Sequence, residues 1–568
     1  MKNKDSCLYG NPVSNGIAVA KAYIYEKGNF EIACEKCENA ETEVIKLKNA
    51  VDAAKDELDE LYFSLKDVNP ENAKIFVAHK ELLDDEEMLT ETFDMIKDSC
   101  VTAEFAVQTV FNEYAKLLGR VKDTVISGRS ADLIDVKERV LRILTGTREK
   151  SLARFNEDVI VVSHELLPSD TANLDKNHVK GIITECGGMN SHSAILARSF
   201  RIPAVLGIND AVKNIKDGQM LILDGNAGEV KLEFSEKERF EYEQKREELK
   251  HIADEEKKYL KEKCKTRDDV TISIGINVGN DKLDTDDEAY DFVGLLRSEF
   301  LYMESDHMPT EEEQFEAYRK ILETANKKTV TLRTLDIGGD KTLPYFSLPK
   351  EDNPFLGERA LRLCFKYPDI FKTQLRAALR ASVYGKLQIM FPMVGSIEDF
   401  RKAKSVVKEV MSEFDSKGIS YDSQIKIGVM IEIPGLAIIS DLIAKEADFA
   451  SIGSNDLTQY TCAADRMNEG TAKYYESLSP AMLRLFKFIF ESFRANKKPV
   501  SVCGEIAGNP KIAALLVGLG ARKLSMNYAS VAAVKAEIAK YTLTETVNMA
   551  NDALNLCTEE EIKKRMGL

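Results

Sequence analysis

The second half of the sequence is punctuated by eight short apolar runs, and this repetition restricts the fold more than any other feature. In order they are Val270–Val278, Phe292–Arg297, Val330–Leu335, Leu387–Met393, Ile425–Ile433, Phe449–Ile452, Val500–Cys503 and Lys523–Met526, separated by stretches of helical character. Runs of this kind read as parallel strands buried on both faces, each returned by a helix. Eight strand–helix repeats in about 275 residues predict a closed (β/α)8 barrel. A doubly wound open sheet is the alternative; the regularity of eight units favours closure.

A chain of 568 residues has room for about four domains. Residues 26–145 are nearly free of Gly and Pro, and Val44, Leu47, Val51, Ala54, Leu58, Leu61 and Leu65 follow a 3,4 spacing. That seam, broken at Asn69-Pro70 and again near Ser127-Gly128, predicts an all-α bundle. Residues 146–233 carry the short strands 158–163, 181–184, 204–206 and 220–223, so this stretch reads as a small α/β unit. The strand-like residues 1–25 complete its sheet, which makes the bundle an insertion. Residues 234–267 are dominated by Glu, Lys and Arg and predict a solvated linker helix. The expected fold class is therefore multidomain α/β: a small α/β domain (1–25 plus 146–233) with an inserted helical bundle (26–145), a linker (234–267), and a C-terminal TIM barrel (268–568).

The charge balance is 78 Lys+Arg against 94 Asp+Glu, a formal net of −16, which argues against a broad nucleic-acid or acidic-lipid surface. No apolar run approaches the roughly 20 residues of a membrane span, and the first ten residues lack a signal-peptide core. Ten scattered Cys fit reduced thiols in a cytoplasmic protein.

In a barrel of this kind the working residues stand at the C-terminal ends of strands. Arg297, Arg333, Glu432, Asn455, Asp456 and Cys503 occupy such positions, with Arg466 and Arg359 on the segments that follow. Several guanidiniums converging on one mouth repel one another unless anions lie between them, and their forks match carboxylate and phosphate oxygens. Glu432 and Asp456 supply hard oxygen ligands suited to Mg2+. The implied ligand is a small phosphorylated carboxylic acid. Cys503, beside Gly504 in a cationic setting, reads as a thiol that gives or takes a proton. In the α/β unit, Gly187-Gly188-Met189-Asn190-Ser191-His192 reads as a Gly-rich turn opening a helix. His192 falls in its first turn, where unpaired N–H groups favour a phosphoryl group on the imidazole, and Arg198 follows about two turns later. Cys34 and Cys37 form a lone C-x-x-C without a second pair and are read as incidental.

These segments together resemble enzyme I of the phosphoenolpyruvate-dependent sugar phosphotransferase system over nearly the whole chain. The carrying motifs are GGMNSHSAILARS (187–199), LRSEFLYM (296–303), RTLDIGGDK (333–341), NPFLGERA (353–360), VMIEIP (429–434), GSNDLTQYTCAADR (453–466) and CGEIAG (503–508), in the family's order. The resemblance implies that His192 is phosphorylated by phosphoenolpyruvate, and that Arg297, Arg333, Asn455 and Arg466 bind that substrate, with Arg359 and Asp456 beside them. It implies Mg2+ on Glu432 and Asp456, protonation of the departing enolpyruvate by Cys503, and orientation of His192 by Thr171. The implied partners are the phosphocarrier protein HPr, docked on the helical bundle, and a second copy of the barrel in a homodimer. Asn190 stands where the family has Thr. Dikinases and synthases that share this phosphohistidine plan need a nucleotide-binding domain for which residues 1–145 are too short and too helical. A catalytically silent scaffold is the reading from another class, and His192, Glu432, Asp456 and Cys503 argue against it.

Overall fold

A computed structural model describes residues 7–25, 32–65, 70–120, 124–146, 152, 155–166, 170, 174–187, 191–200, 202–279, 283, 287–303, 305–338, 343, 345–346, 348–349, 351–466, 468 and 470–568. The chain divides into two compact units, Met1–His251 and Ile252–Leu568.

The first unit contains one eight-stranded mixed sheet. Its strands are β1 (Cys7–Tyr9), β2 (Asn11–Ser14), β3 (Ile17–Tyr25), β4 (Val159–Ser163), β5 (Val179–Thr184), β6 (Ala204–Leu206), β7 (Met220–Asp224) and β8 (Glu229–Lys231). The order is β1-β8-β7-β3-β4-β5-β6-β2. β3 pairs parallel with β4 and antiparallel with β7, so a strand from before the helical segment lies inside the sheet formed after it. That segment consists of α1 (Ala40–Leu65), α2 (Pro70–Leu83), α3 (Glu86–Ser99), α4 (Ala103–Arg120) and α5 (Thr124–Thr145). Leu47, Val51, Ala54 and Leu58 of the 3,4 seam are buried in a core shared with Phe76, Ile96, Phe111 and Val140. The turn expected at Ser127-Gly128 is instead helical, inside α5. A helical Gly costs about 1 kcal/mol relative to Ala, an amount that the packing of a long amphipathic helix outweighs.

After the sheet comes a helix over Glu236–Lys257, opened by reciprocal hydrogen bonds between Ser235 and Glu238. Phe240, Leu249 and Ile252 on it are exposed, as the charge-rich sequence predicts.

In the second unit the eight runs become β9 (Ser273–Val278), β10 (Phe292–Arg297), β11 (Thr329–Arg333), β12 (Lys386–Phe391), β13 (Lys426–Ile431), β14 (Ala450–Ile452), β15 (Val500–Val502) and β16 (Lys523–Met526). Every pairing is parallel, and β16 returns to β9, so the barrel is closed. The first strand starts three residues later than its apolar run, because Val270 instead closes a turn with Thr266. Leu295, Met390, Met430, Phe449 and Cys503 form a small buried cluster separate from the large core between strands and helices. Among the described residues, no helix is long and apolar enough to cross a membrane.

Candidate active site

The strand ends of the barrel carry a lattice of alternating guanidiniums and carboxylates. Arg333, the last residue of β11, is 7% exposed. Its Nη2 binds the Glu299 carboxylate, and its Nη1 lies 3.0 Å from Asp336 Oδ2. Arg359, only 2% exposed, places Nη2 2.9 Å from Asp336 Oδ1 and 3.7 Å from Asp456 Oδ2. Its Nη1 donates to the Tyr460 hydroxyl at 3.2 Å. Arg466 Nη2 stands 3.9 Å from Asp456 Oδ1. Asp336 thus bridges the two most buried arginines, and Asp456 links Arg359 to Arg466. Burial by itself would lower the pKa of Arg333 and Arg359, but the surrounding carboxylates outweigh it and hold both firmly charged. Arg297 ends β10 with its side chain exposed.

Local backbone choices make this crowding possible. Gly338 adopts φ +103°, and a Cβ there would stand 2.7 Å from Arg359 Cβ. At Gly453 a Cβ would approach Glu432 Oε2 to 2.7 Å. Gly453 leads into the helix Ser454–Cys462, whose first turn presents Asn455 and Asp456 where free N–H groups favour anions. Asn455 exchanges two 3.3 Å hydrogen bonds with Glu505, one to its backbone N–H and one to its carboxylate. The Asn455 carbonyl accepts from Tyr475.

Glu432 follows β13 and is 1% exposed. Its Oε1 accepts the Met393 N–H at 2.6 Å. Burial, then the neighbouring charges of Asp456 and Asp336, push its carboxyl up to about 8. Asp456 Oδ1 is buried with no hydrogen-bond partner. Two buried carboxylates, one with an oxygen that lacks a hydrogen-bond partner, are a fitting donor set for a hard divalent cation.

Cys503 lies at the floor of this lattice, where Arg333 Nη1 contacts Met430 Sδ at 3.7 Å. Its thiol donates to the Ile452 carbonyl at 3.5 Å. Burial pushes the thiol up, against the opposing effects of a Ser451 hydrogen bond and of Arg333. The cationic setting expected from sequence is present, but burial outweighs it.

His192 is the first residue of the nine-residue helix α6 (His192–Phe200) that follows β5. Ser191 Oγ accepts the Ala194 N–H at 3.3 Å and caps this helix. Ser193 Oγ donates to the Leu166 carbonyl, tying the helix to the segment after β4. Arg198 is exposed on the last turn. Thr171 and Asn190 lie outside the described residues.

The structure thus brings Arg333, Arg359, Glu432, Asp456, Arg466 and Cys503 to one end of the barrel. The sequence places Glu299 and Asp336 just after strand ends but assigns them no role, and it does not single out Tyr460 or Tyr475. The tyrosines enter from the segments after β14 and carry no strand-end signal.

A closed parallel barrel with interleaved guanidiniums and carboxylates at its mouth defines a binder of small polyanions. Comparison with known proteins places it more closely. Residues 9–129 match the family described as PEP-utilising enzyme, N-terminal; residues 155–228 match the mobile domain of PEP-utilising enzymes; residues 253–543 match their PEP-binding domain. The chain is 42% identical over 559 residues to a phosphoenolpyruvate-protein phosphotransferase of Staphylococcus epidermidis, covering 98% of each chain. A protein of the same name from Mycoplasma capricolum is 40% identical over 560 residues, with 98% of each covered. The "NMR solution structure of Enzyme I (nEIt) protein" is 36% identical, with 43% of this chain and 99% of that chain covered and a TM-score of 0.39. The chain belongs to the phosphoenolpyruvate-protein phosphotransferase family of PEP-utilising enzymes.

Proposed function

We propose that this chain takes the phosphoryl group of phosphoenolpyruvate onto His192, releases pyruvate, and passes the group to a histidine of the carrier protein HPr, as the first step of sugar uptake by the phosphotransferase system. The observation that carries this reading is the buried lattice of Arg333, Asp336, Arg359 and Asp456. Positioning and charge stabilisation are the main contributions a protein makes to phosphoryl transfer. Arg297, Arg333 and Arg466 receive the substrate's carboxylate and phosphate oxygens, Arg359 and Asp456 brace them, and Asn455 adds an amide.

Glu432 and Asp456 would hold Mg2+, for which the orphaned Asp456 oxygen argues. When bound, such a cation neutralises charge on the phosphate and on the enolate leaving group. The His192 imidazole nitrogen forms a bond to phosphorus while the bond from phosphorus to the enol oxygen breaks. The Cys503 S–H then delivers its proton to the terminal carbon of enolpyruvate, and the thiolate recovers a proton from solvent. Arg198 and Thr171 support the phosphorylated imidazole.

We further propose the division 1–25 plus 146–233, 26–145, 234–267 and 268–568. The 146–233 part would travel to the barrel about hinges flanking the charged helix. Exposed Ile45, Phe63, Val77 and Leu117 support carrier docking on the helical bundle. We assign a barrel-mediated homodimer on the family resemblance. Ten unpaired thiols support a reducing, cytoplasmic setting.

Radiolabelled phosphoenolpyruvate and Mg2+ test the central assignment. The intact chain acquires acid-labile, base-stable label, and His192→Ala acquires none. Stable label on His192→Ala overturns the assignment.

A further inference from the structure

Cys503 is held by a second polar arrangement, one built without charged groups. Asn277, on β9, is half-buried. Its Nδ2 donates to the Cys503 carbonyl at 2.9 Å, and its Oδ1 accepts from Ser525 Oγ at 2.7 Å. A backbone carbonyl only accepts, so the amide faces Cys503 in one orientation alone. Ser525, on β16, is fully buried, which fixes the far end of the amide.

Asn277 reaches Cys503 across an intervening strand. β9 pairs with β16, β16 pairs with β15, and Cys503 directly follows β15. Among the described residues the register between β15 and β16 holds at one pair, Val502 with Leu524, whereas β11 and β12 match at five. The ladder thus stops one residue before Cys503, and the Asn277 amide takes over there. On the β14 side, the Cys503 N–H donates to the Ile452 carbonyl at 3.1 Å, and the thiol to the same carbonyl at 3.5 Å. Two glycines leave room for this arrangement: a side chain at Gly294 would collide with Ser525 Oγ, and one at Gly504 with Ser454.

We propose that Asn277, braced by Ser525, is a positioning residue that aims the Cys503 thiol at one face of enolpyruvate. The inference rests on the reading of Cys503 as the proton donor given above. A planar enolate has two faces, and a single fixed donor reaches one of them. The direction in which the Cys503 side chain leaves the backbone depends on the peptide plane it shares with Gly504, and that plane is what Asn277 holds. Rates depend steeply on such placement: an error of about 1 Å costs about 10^2-fold. A neutral amide suits the task, because it fixes the backbone without adding charge beside the substrate's carboxylate and phosphate.

The proton transfer balances as follows. When the phosphorus–oxygen bond breaks, the oxygen keeps the electron pair and an enolate remains. As the enolate closes to a carbonyl, its carbon–carbon π pair takes the Cys503 proton and forms the new C–H bond. The S–H electron pair stays on sulfur, and solvent returns a proton to the thiolate. The rival role for Asn277 is a structural one, in which it only satisfies the Ser525 hydroxyl and the Cys503 carbonyl. The two roles differ in one observable: aim decides the configuration of the product methyl group, whereas stability decides only how much active chain is present.

Phosphoenolpyruvate deuterated at one position of its terminal carbon, converted in tritiated water, reads that configuration. The full chain is used in stoichiometric amount with Mg2+, and the pyruvate is reduced at once to lactate to preserve its methyl group. The unmodified chain should give one predominant configuration. Asn277→Leu keeps the size of the side chain and removes both polar atoms. It should still bind phosphoenolpyruvate and take label on His192, while protonation slows by about 10-fold or more and the methyl group drifts toward racemic, since released enol ketonises in solvent. Ser525→Ala leaves Asn277 in place but unbraced, should shift the configuration less in the same direction, and decides the matter where Asn277→Leu fails to fold. Full retention of configuration in the folded variants overturns the proposal, even where the melting temperature drops, and so does a racemic product from the unmodified chain. Cys503→Ala separates the two readings. Racemic product from Cys503→Ala with retention in Asn277→Leu removes the role of Asn277 alone, whereas retention in Cys503→Ala removes Cys503 as the donor.

Discussion

The barrel mouth and the segment around His192 use opposite means toward one proposed reaction. At the barrel mouth, buried charges of both signs are held in fixed alternation, and Arg359 is almost wholly enclosed. Around His192, the described residues form a capped helix start that follows a strand of the sheet. Binding a polyanion requires preorganised charge, which buried ion pairs hold in place. Presenting a nucleophile requires a backbone position, which a helix start capped by one hydroxyl provides.

The contrast breaks most readily at the lattice. Arg333→Met leaves Glu299 and Asp336 facing each other without their shared cation. Removing one partner of a buried ion pair costs about 3–5 kcal/mol. The expected outcome is a lower urea midpoint for the barrel transition and loss of phosphoenolpyruvate binding by calorimetry. An unchanged midpoint would show that the lattice does not stabilise the fold.

Cys503→Ala separates chemistry from architecture. The side chain is small and lies beside Met390, Met430 and Leu295, so the fold should be retained. Loss of a positioned proton donor costs about 10^2- to 10^4-fold. The expected result is that pyruvate formation falls by that factor while KM for phosphoenolpyruvate changes little. A fall in binding alone would reassign Cys503 to packing.

Gly453→Ala probes close approach within the same network. Its Cβ would press on Glu432 Oε2 at 2.7 Å and on Met430 Cγ at 3.1 Å. Overpacking of this kind costs about 1–3 kcal/mol. The melting temperature should drop, and half-saturation by Mg2+ should move to higher concentration, because the displaced atom belongs to a proposed ligand.

How much of this was legible beforehand follows from the same contrast. The eight runs foretold the barrel because strands buried on both faces leave uninterrupted apolar words in the sequence. The 3,4 seam of α1 foretold a buried stripe for the same kind of reason. Strand-end position was enough to find Arg333, Glu432 and Asp456. It did not reveal that Asp336 lies between two arginines or that Glu299 pairs with Arg333, since which charges interdigitate depends on where loops fold back. Nor did it find β1, β2 and β8, which are three or four residues long and owe their pairing to neighbours rather than to their own pattern. Ser127-Gly128 looked like a turn because local propensity was read without the packing of the surrounding helix.

The smallest expected effect lies at the simpler region and is the most discriminating. Ser191 caps the helix that begins at His192, through the Ala194 N–H. Ser191→Ala should cost about 1 kcal/mol locally, the usual worth of such a cap. Fraying would then fall on the first turn, where His192 stands, and transfer of label from phosphoenolpyruvate should slow by up to about tenfold. Two replacements tell cap from charge. Thr restores the hydroxyl and should recover both stability and transfer. Asp also caps well, but it adds a negative charge next to the phosphoryl group, so stability should return while transfer stays slow. If Asp recovered transfer as fully as Thr, the first turn of this helix would not be where the phosphoryl group resides.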